Sequence, residues 1–127
     1  MKTLLFCLFI LPLVAAWAPL TSDEETPEYL YKVVSPVEWI ASQAKGEIIP
    51  SSTDKDFIHL ATEAQVPHVT QKFWKDQDYV LLKLIPSQFQ GRLVFETNPG
   101  GTTKYYHLYE GKIPLDAVDS STTQEKK

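Results

Sequence analysis

Two capping boxes, Ser35-Pro36-Val37-Glu38 and Thr62-Glu63-Ala64-Gln65, each stand directly behind a short apolar run of strand character, which divides the chain into strands and helices. Helices are expected to open at both boxes. Val37, Ile40, Ala41 and Ala44 then recur at helical spacing as one apolar stripe, and Gly46 is placed to end it. The second helix takes Val66, Thr70, Phe73 and Trp74 as its apolar face, with Pro67 moving its regular start toward Val66. Strands are expected over residues 29–34, 57–61, 79–85, 92–96 and 103–109, the last two forming a hairpin around Asn98-Pro99-Gly100-Gly101. Residues 86–89 and 114–118 suit single helical turns. The expected fold is α+β: a small split mixed β-sheet of about five strands with two main helices.

The ends of the chain differ from this middle. Residues 1–18 have the pattern of a secretory signal peptide: Met1-Lys2, an apolar run from Leu4 to Val14, then small residues at Ala15-Ala16. Acidic Asp23-Glu24-Glu25 follows soon after, so no stable membrane anchor is expected once the leader is removed. The expected location is exported, periplasmic or secreted. Residues 19–28 form an acidic, threonine-containing linker, residues 29–118 a single globular domain, and residues 119–127, which lack apolar side chains, a disordered polar tail. The one cysteine, Cys7, lies in the leader, so the domain must hold together by its core alone. A net charge of −4 and the absence of clustered Lys or Arg exclude nucleic acid as the expected partner.

Candidate chemistry comes from strand periodicity. His59 shares a strand face with Phe57 and Ala61, His107 with Tyr105 and Tyr109, and Glu96 with Arg92 and Val94. A desolvated imidazole needs partners for its ring nitrogens, so two histidines inside apolar runs suggest a polar cleft. If the strands align, His59, Glu96 and His107 meet, with Thr62 and Tyr109 at the rim. Such a group can pass protons or hold a ligand hydroxyl. Each residue also has a plainer structural reading: Thr62 as a helix cap, the tyrosines as hairpin packing, and either histidine as a satisfied structural residue. Three ligands in an unrecognised spacing do not make a metal site, and none is assigned.

Tyr31-Lys32-Val33, Glu38-Trp39, Phe57-Ile58-His59-Leu60-Ala61-Thr62, Gln65, Phe95-Glu96, Gly100-Gly101, His107-Leu108-Tyr109 and Ile113 to Val118 together resemble an uncharacterised, mostly bacterial domain family with FIHLST and HLYG-PL-AV signatures. That family is grouped with the ADP-ribosyltransferase-like superfamily. The resemblance implies a split β-sheet clasping a nucleotide cleft, with His59, Glu96 and His107 as its residues here. It also implies a closing strand after Ala117-Val118, where this chain has only polar residues. The histidine that holds ribose on the first strand of NAD-using relatives is absent, since this strand has Tyr31-Lys32-Val33-Val34. RNA 2′-phosphotransferases of the superfamily need several arginines, and Arg92 stands alone here.

Two functions therefore remain in view. One is an exported module that binds a small molecule or nucleotide. The other is an enzyme of ribosyl or phosphoryl transfer using a His/Glu/His cleft. Neither a cofactor nor an oligomeric state follows from the sequence.

Overall fold

The computed structural model describes residues 25–126; the leader expected over residues 1–18 and linker residues 19–24 lie outside them. β1 (Leu30–Val34) runs into Ser35, whose hydroxyl accepts the Glu38 N–H at 3.1 Å while the Glu38 carboxylate accepts the Ser35 N–H at 3.0 Å. α1 (Pro36–Lys45) starts there, with proline where no N–H is needed, and Gly46 at φ +87° ends it by donating its N–H to the Ser42 carbonyl. β2 (Ile58–Leu60) leads to the second cap, where the Gln65 side chain accepts the Thr62 N–H at 2.9 Å. A 3-10 turn over Glu63–Gln65 precedes α2 (Val66–Phe73), so Pro67 falls in the first turn and breaks no helical bond. The chain continues through β3 (Tyr79–Leu84), the hairpin of β4 (Gln90–Thr97) and β5 (Lys104–Lys112), and β6 (Val118–Gln124).

The architecture is α+β, but the sheet differs from expectation. Six strands form two three-stranded sheets, in the orders β1-β3-β6 and β2-β5-β4, and every pairing is antiparallel. A mixed sheet needs a strand-helix-strand crossover that returns to the same sheet. Here α1 leads from β1 to β2 and α2 from β2 to β3, so each helix carries the chain across to the other sheet. The edge strands of the two sheets meet at a single bridge, where Tyr31 and Ala61 exchange backbone hydrogen bonds of 2.8 Å.

The polar tail is the second correction. Val118–Gln124 is a strand paired along β3, from Leu84 opposite Val118 to Tyr79 opposite Gln124. An edge strand needs no apolar side chains, because what it supplies is backbone hydrogen bonds to the exposed flank of β3. Its serines and threonines point to solvent, and it occupies the place of the closing strand that the family resemblance implies.

The apolar stripe of α1 also lies elsewhere than its spacing suggests. Val37 and Ile40 are 75% and 66% exposed, while Ser42 is buried and Trp39 packs on the core. Trp39 offers the larger apolar surface, and the Ser42 hydroxyl accepts the Ile49 N–H at 2.9 Å as the chain leaves the helix. The core itself joins Leu30 and Val34, Val80, Leu82 and Leu84 to Ile58, Leu60, Tyr106 and Leu108 of the other sheet, with Ile48, Ile113 and Ala117 between.

Deleting residues 119–127 strips β3 of this ladder. Urea denaturation is expected to show a loss of roughly 3 kcal/mol or more, from several hydrogen bonds worth about 0.5–1.5 kcal/mol each. A truncated chain as stable as the full one would show that β6 is not formed.

Candidate functional site

Register, not proximity in sequence, assembles the polar cluster. His59 of β2 lies opposite His107 of β5 with ring centroids 5.4 Å apart, and Glu96 of β4 stands opposite Tyr105 on the other flank of β5. The Glu96 carboxylate accepts hydrogen bonds from His107 Nδ1, at 2.8 Å, and from the Tyr109 hydroxyl. His59, Glu96, His107 and Tyr109 are thus contiguous. Thr62 is not part of the group: its N–H is used in the helix cap, and it borders a separate hollow with Tyr29, Glu63 and Lys83.

Within the cluster the two histidines have opposite surroundings. His107 is fully buried, its ring stacked on Phe57 at 3.8 Å and 17°, with Nδ1 on Glu96 and Nε2 2.7 Å from Asn98 Oδ1. A ring closed in this way cannot touch a ligand; it is a strut that fixes Glu96 and the hairpin turn at Asn98. The hydrogen bond from Tyr109, then that from His107, hold the Glu96 carboxyl below its ordinary value, and Glu96 in turn pushes the Tyr109 hydroxyl up. The Arg92 guanidinium lies 4.8 Å from the centre of the Tyr109 ring.

His59 is the accessible imidazole, its side chain 38% exposed. Its orientation is set by Asp54, a residue of the loop before β2 whose own side chain is wholly buried. Asp54 Oδ1 accepts both the His59 backbone N–H, at 3.1 Å, and Nδ1, at 2.8 Å. Asp54 Oδ2 accepts the Lys32 ammonium at 2.8 Å and the N–H and hydroxyl of Ser51 at 3.0 Å each. Burial by itself would raise the Asp54 carboxyl, yet the His59 and Lys32 hydrogen bonds and the Lys32 charge outweigh it and hold the group well below the carboxylate range. Lys32 also donates to the His59 carbonyl at 3.2 Å, so one buried unit grips the strand at both backbone and ring.

With Nδ1–H given to the Asp54 carboxylate, Nε2 is the nitrogen that carries the lone pair when the ring is neutral. His59 borders a cavity of about 550 Å³ at the seam between the sheets. Tyr31, Lys32 and Val33 of β1 form one side; Val66, Val69, Phe73 and Trp74, in and just after α2, form an apolar wall; Asn98 and Tyr105 complete a polar rim. Glu96, His107 and Tyr109 are not on this wall. The cavity can hold a ligand of modest size with His59 as its hydrogen-bonding anchor. Among the described residues no group of three or more His, Cys, Asp or Glu is placed to hold a metal ion.

Lys32, Asp54 and Asn98 are the residues that strand periodicity alone did not single out. Lys32 had a signal, since alternation puts it on the same face as the buried Leu30 and Val34, where an ammonium must find a partner. Asp54 had a weaker one in Ser51-Ser52-Thr53-Asp54, a turn in which the Asp54 N–H returns to the Ser51 carbonyl.

The family model described as "Protein of unknown function (DUF952)" matches residues 33–121. The crystal structure of protein CC0527 from Caulobacter crescentus is similar, at 29% identity and a TM-score of 0.65, over 75% of this chain and 84% of that one. The solution NMR structure of CC0527 gives 28% identity and a TM-score of 0.62, over 76% and 84%. A comparison with curated proteins finds no match.

Acid should test the buried unit. The lowered Asp54 value means that its contribution is complete above the unfolded carboxylate value of about 3.9 and is lost progressively as pH falls below it toward the lower folded value. Asp54→Ala leaves Lys32 buried without its counter-charge and is expected to cost about 3–5 kcal/mol at pH 7. Its penalty should shrink as the pH is lowered through 4 to 2, measured by urea denaturation at each pH. A penalty that does not change with pH would contradict the charged pair.

Proposed function

The chain belongs to the DUF952 family of proteins of unknown function, and from that premise we propose that it is a small-ligand-binding module whose ligand sits in the seam between the two sheets against His59. The observation that carries this reading is the pinned imidazole. A buried carboxylate, itself paired with a buried ammonium, fixes Nδ1 of His59, and the residue lines a cavity of about 550 Å³, within the size range of small-molecule sites. Likeness to the ADP-ribosyltransferase-like superfamily supports the same place for the ligand, because that superfamily clasps a nucleotide in a split sheet. The leader pattern of residues 1–18 supports export as part of this reading.

Catalysis by ribosyl or phosphoryl transfer is the second reading, and the Asp54–His59 pair favours it, since a carboxylate-oriented imidazole is suited to general-base work. The fully buried His107 weighs against a reaction run by both histidines together. Any such activity rests on His59 alone, with Asp54 as its positioning residue.

A thermal-shift panel of NAD, ADP-ribose, nucleosides, small aromatic compounds and divalent metals separates the two readings. A ligand at 100 times its Kd is expected to add about 2.7 kcal/mol, or roughly 10 °C or more in Tm for a domain of this size. Chromatography after hours of incubation should recover that ligand unaltered, and His59→Ala should abolish the shift. Turnover lost in His59→Ala would establish the enzyme instead, and a shift insensitive to His59→Ala would place the ligand elsewhere.

A further inference from the structure

The cavity beside His59 holds no free charge. Apart from His59 itself, Lys32 is the one titratable cation on its wall among the described residues, and the Lys32 ammonium is 2.8 Å from the buried Asp54 carboxylate. The remaining polar lining is neutral: hydroxyls of Ser51, Thr53, Tyr31 and Tyr105 and the amides of Gln77 and Asn98. No lining position is a glycine that would let backbone N–H groups cradle a phosphate.

The one fixed polar contact also has a sign. Because the Asp54 carboxylate takes the Nδ1 hydrogen, Nε2 of His59 is an acceptor whenever the ring is neutral, and then calls for a donor on the ligand. A phosphate monoester dianion brings only acceptor oxygens. Placed here it would face a lone pair, shed its hydration and meet no unpaired cation, against a chain whose net charge is −4. An uncharged hydroxyl or ring N–H satisfies Nε2 at no such cost. In the same lining, Val69, Phe73 and Trp74 give apolar surface that suits a flat ring.

Building on the ligand-binding reading above, we infer that the cavity selects an uncharged ligand with a planar apolar body and an O–H or N–H donor aimed at His59 Nε2, and rejects the phosphorylated form of the same body. This specificity runs opposite to that of a nucleotide site. The phosphate-binding part of a nucleotide has no counterpart on this wall, whereas its nucleoside part fits the chemistry.

The test titrates the full chain with matched compounds: 2-naphthol, its methyl ether and its phosphate ester, and adenosine against adenosine monophosphate. Binding is followed by NMR at the Trp74 indole and the His59 ring. Each neutral donor is expected to bind at least about tenfold tighter than its phosphate, a difference of about 1.4 kcal/mol. Naphthol should likewise outbind its methyl ether, and His59→Phe should erase that preference while leaving the apolar wall intact. Equal or tighter binding of the phosphates at the same two signals would overturn the inference and leave the binding reading standing. If no compound moves either signal, the inference also fails, and the binding reading is then decided by the wider panel and its dependence on His59.

Discussion

An ammonium on the core face of a strand is the constraint from which the rest of the site follows. Lys32 sits between Leu30 and Val34, both essentially inaccessible to water, and its own side chain is only 4% exposed. Such a charge costs several kcal/mol to desolvate unless a counter-charge and further hydrogen bonds compensate. Asp54 supplies the counter-charge, and doing so draws the loop before β2 back against β1. The same carboxylate then takes His59 by its backbone and its ring. One electrostatic requirement therefore fixes the loop, secures the junction beside the Tyr31–Ala61 bridge and orients the exposed imidazole.

The two histidines divide the work of the cluster. His107, sealed by Phe57 and tied to Glu96 and Asn98, keeps the hairpin in register beneath the site. His59, half-open at the edge strand, lines the cavity. This division depends on the split between the sheets: edge strands that meet at one bridge leave a seam, and the helix that follows β2 lays its apolar residues along that seam. α2 contributes no buried residue to the core, so its apolar face is available to a ligand.

Local signals made much of this legible in the sequence. Both capping boxes and the displacement of α2 by Pro67 follow from short-range hydrogen bonding, and the meeting of His59, Glu96, His107 and Tyr109 follows from period-two alternation once the three strands are adjacent. What stayed hidden was long-range. The strand at Val118–Gln124 is held by its backbone, which polar side chains do not advertise. The exposure of Val37 and Ile40 reflects the competition that Trp39 won for the core, and helical spacing alone does not rank those faces. Thr62 satisfied its plainer reading as a cap. Asp54, in a polar loop, became meaningful only when Lys32 on another strand was seen to need it.

The tautomer of His59 decides whether Nε2 is left as the acceptor for a ligand. Long-range proton–nitrogen NMR correlations of the imidazole, recorded on the full chain at pH 8, measure it directly. A protonated Nδ1 and a bare Nε2 are predicted, with the pattern lost in Asp54→Asn. A ring that carries its hydrogen on Nε2, or one whose tautomers average as in a free imidazole, would contradict the claim that Asp54 sets this residue to face a ligand.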